Sequence, residues 1–142
     1  MSATSHNGTS GRTVPEILGL AFGAIYLLVG IVGFFITGFD DFAGHTDETL
    51  LIFQINPLHN IVHILIGVAG LVLSRTLAGA RTYGWLLAVG YGAAFIYGLL
   101  AVGEDWDFLN LNGADNVLHI ATALVGLVIA LMPVRTAVTD RR

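Results

Sequence analysis

Four uncharged apolar stretches divide the chain: roughly Ile17–Thr37, Pro57–Ser74, Tyr83–Gly103 and Val117–Met132. Each is close to the ~20 residues an α-helix needs to cross ~30 Å of hydrocarbon at ~1.5 Å per residue. The polar residues gather between these stretches, and the pattern predicts four transmembrane helices. Small residues recur at four-residue spacing, Gly19 with Gly23, Ala88 with Gly92 and Ala94 with Gly98. Such spacing lets helix backbones approach closely in a bilayer. Leu50-Leu51-Ile52-Phe53, just ahead of the second stretch, is read as lying at the membrane interface or lengthening that helix.

Polar residues enter the second and fourth stretches in the same order. Asn56-Pro57-Leu58-His59-Asn60-Ile61-Val62-His63 is echoed by Asn112-Gly113-Ala114-Asp115-Asn116-Val117-Leu118-His119, a shift of 56 in residue number. The likeness continues through Gly70-Leu71-Val72 and Gly126-Leu127-Val128. The first and third stretches also match, Arg12-Thr13 with Arg81-Thr82 and Phe22-Gly23-Ala24 with Tyr91-Gly92-Ala93, at a shift of 69. The expected fold is therefore all-α: a polytopic membrane four-helix bundle built from two tandem helical hairpins, about 12–74 and 81–132. Residues 15–133 form the transmembrane domain, with a mobile amino-terminal tail over 1–14 and a second tail over 134–142.

Charge orients this arrangement. Arg12 precedes the first stretch, Arg75 and Arg81 lie between the second and third, and Arg135, Arg141 and Arg142 follow the fourth. The other two loops hold only acids: Asp40, Asp41, Asp47 and Glu48, then Glu104, Asp105 and Asp107. By the positive-inside rule both termini are cytoplasmic, and the repeated motif opens outward. Tyr83 and Trp85 at one boundary, with Trp106 and Phe108 at the other, fit interfacial aromatic belts. Composition agrees: 55% of residues are hydrophobic and 11% charged, against about a quarter charged in soluble domains. The partner is the lipid bilayer. A net charge of −4 with scattered basic residues gives no sign of nucleic acid. The absence of cysteine excludes disulfides, thiolate metal sites and cysteine nucleophiles.

The candidate chemistry lies in the motif. Asn56 before Pro57, and Asn112 before Gly113, read as helix caps, with Asp115 able to bond back to its cap. At 100° per residue, positions 56, 59, 60 and 63 share one helix face, as do 112, 115, 116 and 119. That face runs about 10 Å into the helix, so it should meet other helices rather than lipid. Three readings compete. One is an interhelical hydrogen-bond lock, each bond contributing ~0.6–2 kcal/mol. Another is a site for a divalent transition metal such as zinc, with His59, His63, Asp115 and His119 as ligands and Asn60 and Asn116 orienting them. The third is haem on His63 and His119, which has little else in its favour. No nucleophile or shaped pocket for catalysis can be read. His45 reads as a solvated loop residue, and His6 belongs to the amino-terminal tail.

The strings Asn56-Pro57-Leu58-His59-Asn60 with His63, and Asn112 with Ala114-Asp115-Asn116 and Leu118-His119, resemble an uncharacterised four-helix membrane-protein family. It is a domain-of-unknown-function family frequent in actinobacteria. The resemblance spans about Arg12 to Met132 and implies a four-span protein of the bacterial inner membrane. It implies no activity.

Overall fold

The computed structural model describes residues 11–134. Helix α1 runs Val14–Thr37, two short strands follow at Thr49–Leu50 (β1) and Phe53–Gln54 (β2), and helices α2, α3 and α4 span Pro57–Leu73, Leu77–Ala101 and Gly113–Leu131. The expected tail segments and His6 fall largely or wholly outside the described residues. Three helices are long and apolar enough to cross a membrane, while α2 is a shorter apolar helix of 17 residues. α1 packs mainly on α2 and α3 mainly on α4, so the architecture is two helical hairpins laid side by side.

Each helix begins where local chemistry predicts. Thr13 donates its backbone N–H and hydroxyl to Glu16 Oε2 (2.7 and 2.6 Å), satisfying groups that open the first turn of α1. Asn56 and Asn112 accept from the N–H of His59 and Asp115 (2.9 and 3.0 Å). α3 starts earlier than the apolar stretch suggested, because Thr76 caps it through Gly79 N–H (3.1 Å). α1 ends at Gly38, whose φ of +59° suits a residue without Cβ.

Leu50–Phe53 is neither helix nor a helix extension. It makes a β-hairpin, Thr49 opposite Gln54 and Leu50 opposite Phe53, with Leu51 at the tip in a positive φ and 85% exposed.

Glycines set the spacing within each hairpin. A Cβ on Gly23 would collide with the backbone of Gly70 and Leu71, and one on Gly126 with the backbone of Ala88. Gly92, by contrast, meets nothing within 4 Å among the described residues, so the predicted small-residue contact there is not made. The interior holds Tyr26, Tyr83, Leu87, Tyr91, Ala123 and Ile129. Leu28, Phe35, Leu65, Val89 and Leu124 point outward, the inverse of a water-soluble bundle and the expected surface of a lipid-embedded one. Tyr83, expected in the interfacial belt, is instead 1% exposed and lies over Gly70. Hydropathy locates a helix end without saying which way a ring on it points.

The recurrence between the first and third helices is 65, not 69. Gly19, Tyr26, Gly33 and Gly38 occupy the same places as Gly84, Tyr91, Gly98 and Gly103. The difference of four is about one helical turn, which keeps the same face. The shift of 56 between α2 and α4 stands: a side chain on Gly33 would strike Asn60, and one on Gly98 would strike Asn116.

Candidate functional site

The helix starts of α2 and α4 meet at one end of the bundle, where the asparagines exchange bonds between hairpins. Asn56 Nδ2 donates to the carbonyl of Phe108 (2.9 Å) and to that of Gly44 (3.1 Å). Asn112 Nδ2 donates to the carbonyl of Ile52 (2.8 Å). Ile52 and Phe108 stand in the same relation to the two motifs, four residues before each cap. Each cap therefore holds the loop of the other hairpin. The exchange is reciprocal.

Further bonds reinforce it. Asp115 Oδ2 accepts from Gln54 N–H (3.2 Å) and Asn112 N–H (2.9 Å). Asn110 Nδ2 reaches the carbonyls of Thr46 (3.0 Å) and Ile55 (3.1 Å). Asp107 Oδ2 accepts from Leu111 N–H (2.7 Å), and its Oδ1 from the Tyr97 hydroxyl (3.2 Å). Asp107 and Asn110 were not singled out from the sequence. A loop Asp reads as solvated, yet this one is buried; Asn110 has a φ of +54°, a conformation asparagine tolerates better than most residues.

Asn60 and Asn116 have a different role from the caps. Each rests its amide on a glycine of the preceding helix, Gly33 or Gly98. Asn60 Nδ2 also donates to Thr37 Oγ1 (3.0 Å). These two side chains seat the helices of a single hairpin against one another.

Beneath the caps lie the imidazoles, which face one another in the interior. His59, His63 and His119 are 2–4% exposed. The His59 ring centroid is 4.5 Å from that of His63 and 6.2 Å from that of His119, across the hairpin boundary. Tyr26 lies 5.2 Å from His63, Tyr91 5.4 Å from His119, and the two tyrosine rings 5.2 Å from each other. Tyr26 shares a 2.6 Å hydrogen bond with Thr122. The tyrosines escaped the sequence reading; the shift of 65 was the signal that would have found them.

The Nδ1 atoms of all three histidines are buried and have no hydrogen-bond partner among the described residues, as is also true of the Tyr91 hydroxyl. A buried polar group left in that state costs about 1–3 kcal/mol. Asn56, Asn60, Asn112 and Asp115 thus make side-chain hydrogen bonds, whereas Asn116 packs on Gly98 and its Oδ1, like that of Asn60 and the three imidazole Nδ1 atoms, has no partner among the described residues. Among the described residues no group of three or more His, Asp or Glu side chains is arranged to hold a metal ion. Asp115 is already occupied by two backbone amides. His45 sits apart and exposed in the first loop.

The chain belongs to the family described as domain of unknown function DUF4383, whose model matches residues 16–132. The motif resemblance pointed to such a family. No curated protein and no solved structure matches the chain.

Proposed function

We propose that this chain, as a membrane member of that family, is a structural or accessory subunit of the bilayer whose duplicated polar motif is a hydrogen-bond lock. The observation that supports this most directly is the reciprocal donation of Asn56 to Phe108 and of Asn112 to Ile52. Residues 15–133 form the transmembrane domain, as repeats of about 12–74 and 81–132. In this reading the positive-inside rule, applied to the arginines, puts both termini in the cytoplasm, and the motif resemblance implies a bacterial plasma membrane, so the lock would close the outer end of the bundle. Amide bonds at that end tie together loops that carry otherwise unpaired backbone carbonyls. The test is the reversible unfolding of detergent-purified Asn56→Ala and Asn112→Ala proteins. Stability close to that of the unaltered chain in both would refute the lock.

A second reading rests on the unpartnered imidazole nitrogens. A divalent transition ion such as zinc would satisfy them, since neutral imidazole is its common ligand. The present arrangement does not suit the full set of His59, His63, Asp115 and His119: among the described residues no three such side chains are placed to hold one ion, and Asp115 Oδ2 is engaged by two backbone amides. Three histidines remain, and their rings would have to turn. Elemental analysis of the purified protein tests this: stoichiometric metal that disappears in His63→Ala or His119→Ala supports the metal site, and metal-free protein with no affinity for added zinc refutes it.

A further inference from the structure

Two cavities flank the tyrosine and histidine rings. The first, of about 210 Å³, is bounded by Tyr26, Val29, His63, Asp115 and Leu118 and covered by Leu51 and Phe53 of the β-hairpin. The second, of about 160 Å³, is bounded by Tyr91, Ala94, His119, His59, His63 and Val62. A shift of 65 carries Tyr26 and Val29 onto Tyr91 and Ala94. A shift of 56 carries His63 onto His119, and His59 and Val62 onto Asp115 and Leu118. The internal repeat therefore converts one wall into the other. Each cavity takes its tyrosine and one histidine from one hairpin and further polar groups from the other, Asp115 in the first and both His59 and His63 in the second, so each lies in a crevice between hairpins.

We infer that these cavities are a pair of pseudo-equivalent binding sites for an uncharged, bilayer-soluble molecule with an apolar body and a hydrogen-bonding carbonyl head. The walls are aliphatic and aromatic except at the imidazole end, and a charged head would lose its hydration there without a counter-charge in both sites. His63 lines the first cavity and also borders the second, which His119 lines. Both are more than nine-tenths buried, and both carry an Nδ1 without a partner among the described residues. An imidazole N–H donated to a carbonyl supplies that missing bond. The polar ends differ: the first cavity has the carboxyl of Asp115, the second the imidazoles of His59 and His63. The donor common to both is imidazole, which selects an acceptor on the ligand. Access is lateral. Ile25 and Leu51, both exposed, stand at the first cavity, and exposed Gly90, the counterpart of Ile25, stands at the second. This inference does not depend on the lock.

A decyl-substituted benzoquinone is the probe, added to the full chain in phosphatidylcholine nanodiscs and corrected for partition into empty discs. Saturable binding at two molecules per chain is the expected result. Val29→Trp should abolish the first site and Ala94→Trp the second, each leaving one molecule per chain. His119→Phe, which keeps the shape and removes the donor, should weaken the second site about tenfold and leave the first unchanged. Should a tryptophan variant fail to fold, the histidine nitrogen resonances of the unaltered protein decide: His63 and His119 should shift with the quinone. Binding no greater than in empty discs would overturn the inference. So would equal competition by decylbenzene, which has no carbonyl and would mark the cavities as holders of lipid chains.

Discussion

Removing Asn56 should cost this protein about twice what removing Asn112 costs, although both are caps in the same repeated motif. Asn56 is buried and makes three bonds, accepting from His59 N–H at 2.9 Å and donating to Gly44 and Phe108 at 3.1 and 2.9 Å. At about 1 kcal/mol per bond, Asn56→Ala loses about 3 kcal/mol. Asn112 is half-buried and makes two side-chain bonds, one of them at an exposed carbonyl. Its loss should cost about 1–2 kcal/mol, the usual range for a helix cap. The two caps hold the same pair of loops from opposite sides. Once one is gone the other has less to hold, so the double variant should cost less than the sum by at least about 0.5 kcal/mol. Equilibrium unfolding in mixed micelles of mild detergent and dodecyl sulfate measures all four corners of this cycle. Equal costs for the two single variants, or strict additivity, would refute the reasoning.

Glycine substitutions separate contact from composition. Gly33→Ala and Gly98→Ala should each destabilise by about 1–3 kcal/mol, because the new methyl displaces the amide of Asn60 or Asn116. Gly92→Ala, in open space among the described residues, should be neutral or stabilising by up to about 1 kcal/mol through helix propensity. The midpoint of thermal unfolding in one detergent compares them, and a Gly92→Ala loss as large as the others would contradict the packing. Tyr26→Phe deletes the 2.6 Å bond to Thr122 and should cost about 1 kcal/mol. Thr122→Val should cost a similar amount, with little further loss in the double variant; additive losses would mean that the bond is not the shared cause.

Much of the architecture was legible along the chain. Apolar length announced four helices, and Asn-Pro at 56–57 and Asn at 112 announced two helix starts, because capping and hydration act over a few neighbouring residues. The internal repeat was legible at α2 and α4, where polar landmarks are dense. It was misaligned by one turn at α1 and α3, where a shift of 69 and one of 65 present the same helical face. The site was legible in part. His59, His63, His119 and Asp115 were picked out by their cost in hydrocarbon, and all four are buried at one end of the bundle. Tyr26 and Tyr91 were passed over because an aromatic residue in an apolar run looks like ordinary core.

Helix number, the capped starts of α2 and α4 and the polar stripe follow from residues close in sequence, so reading along the chain sufficed for them. Partnership across helices does not. Asn56 meets Phe108, Asn60 settles on Gly33 and His59 faces His119 because side-chain volumes from distant segments must interlock. A helix face has the same local pattern whether or not its neighbour slides by a turn. Packing chose the register, and the register separated side chains that hold the bundle together from imidazoles left with unpartnered nitrogens.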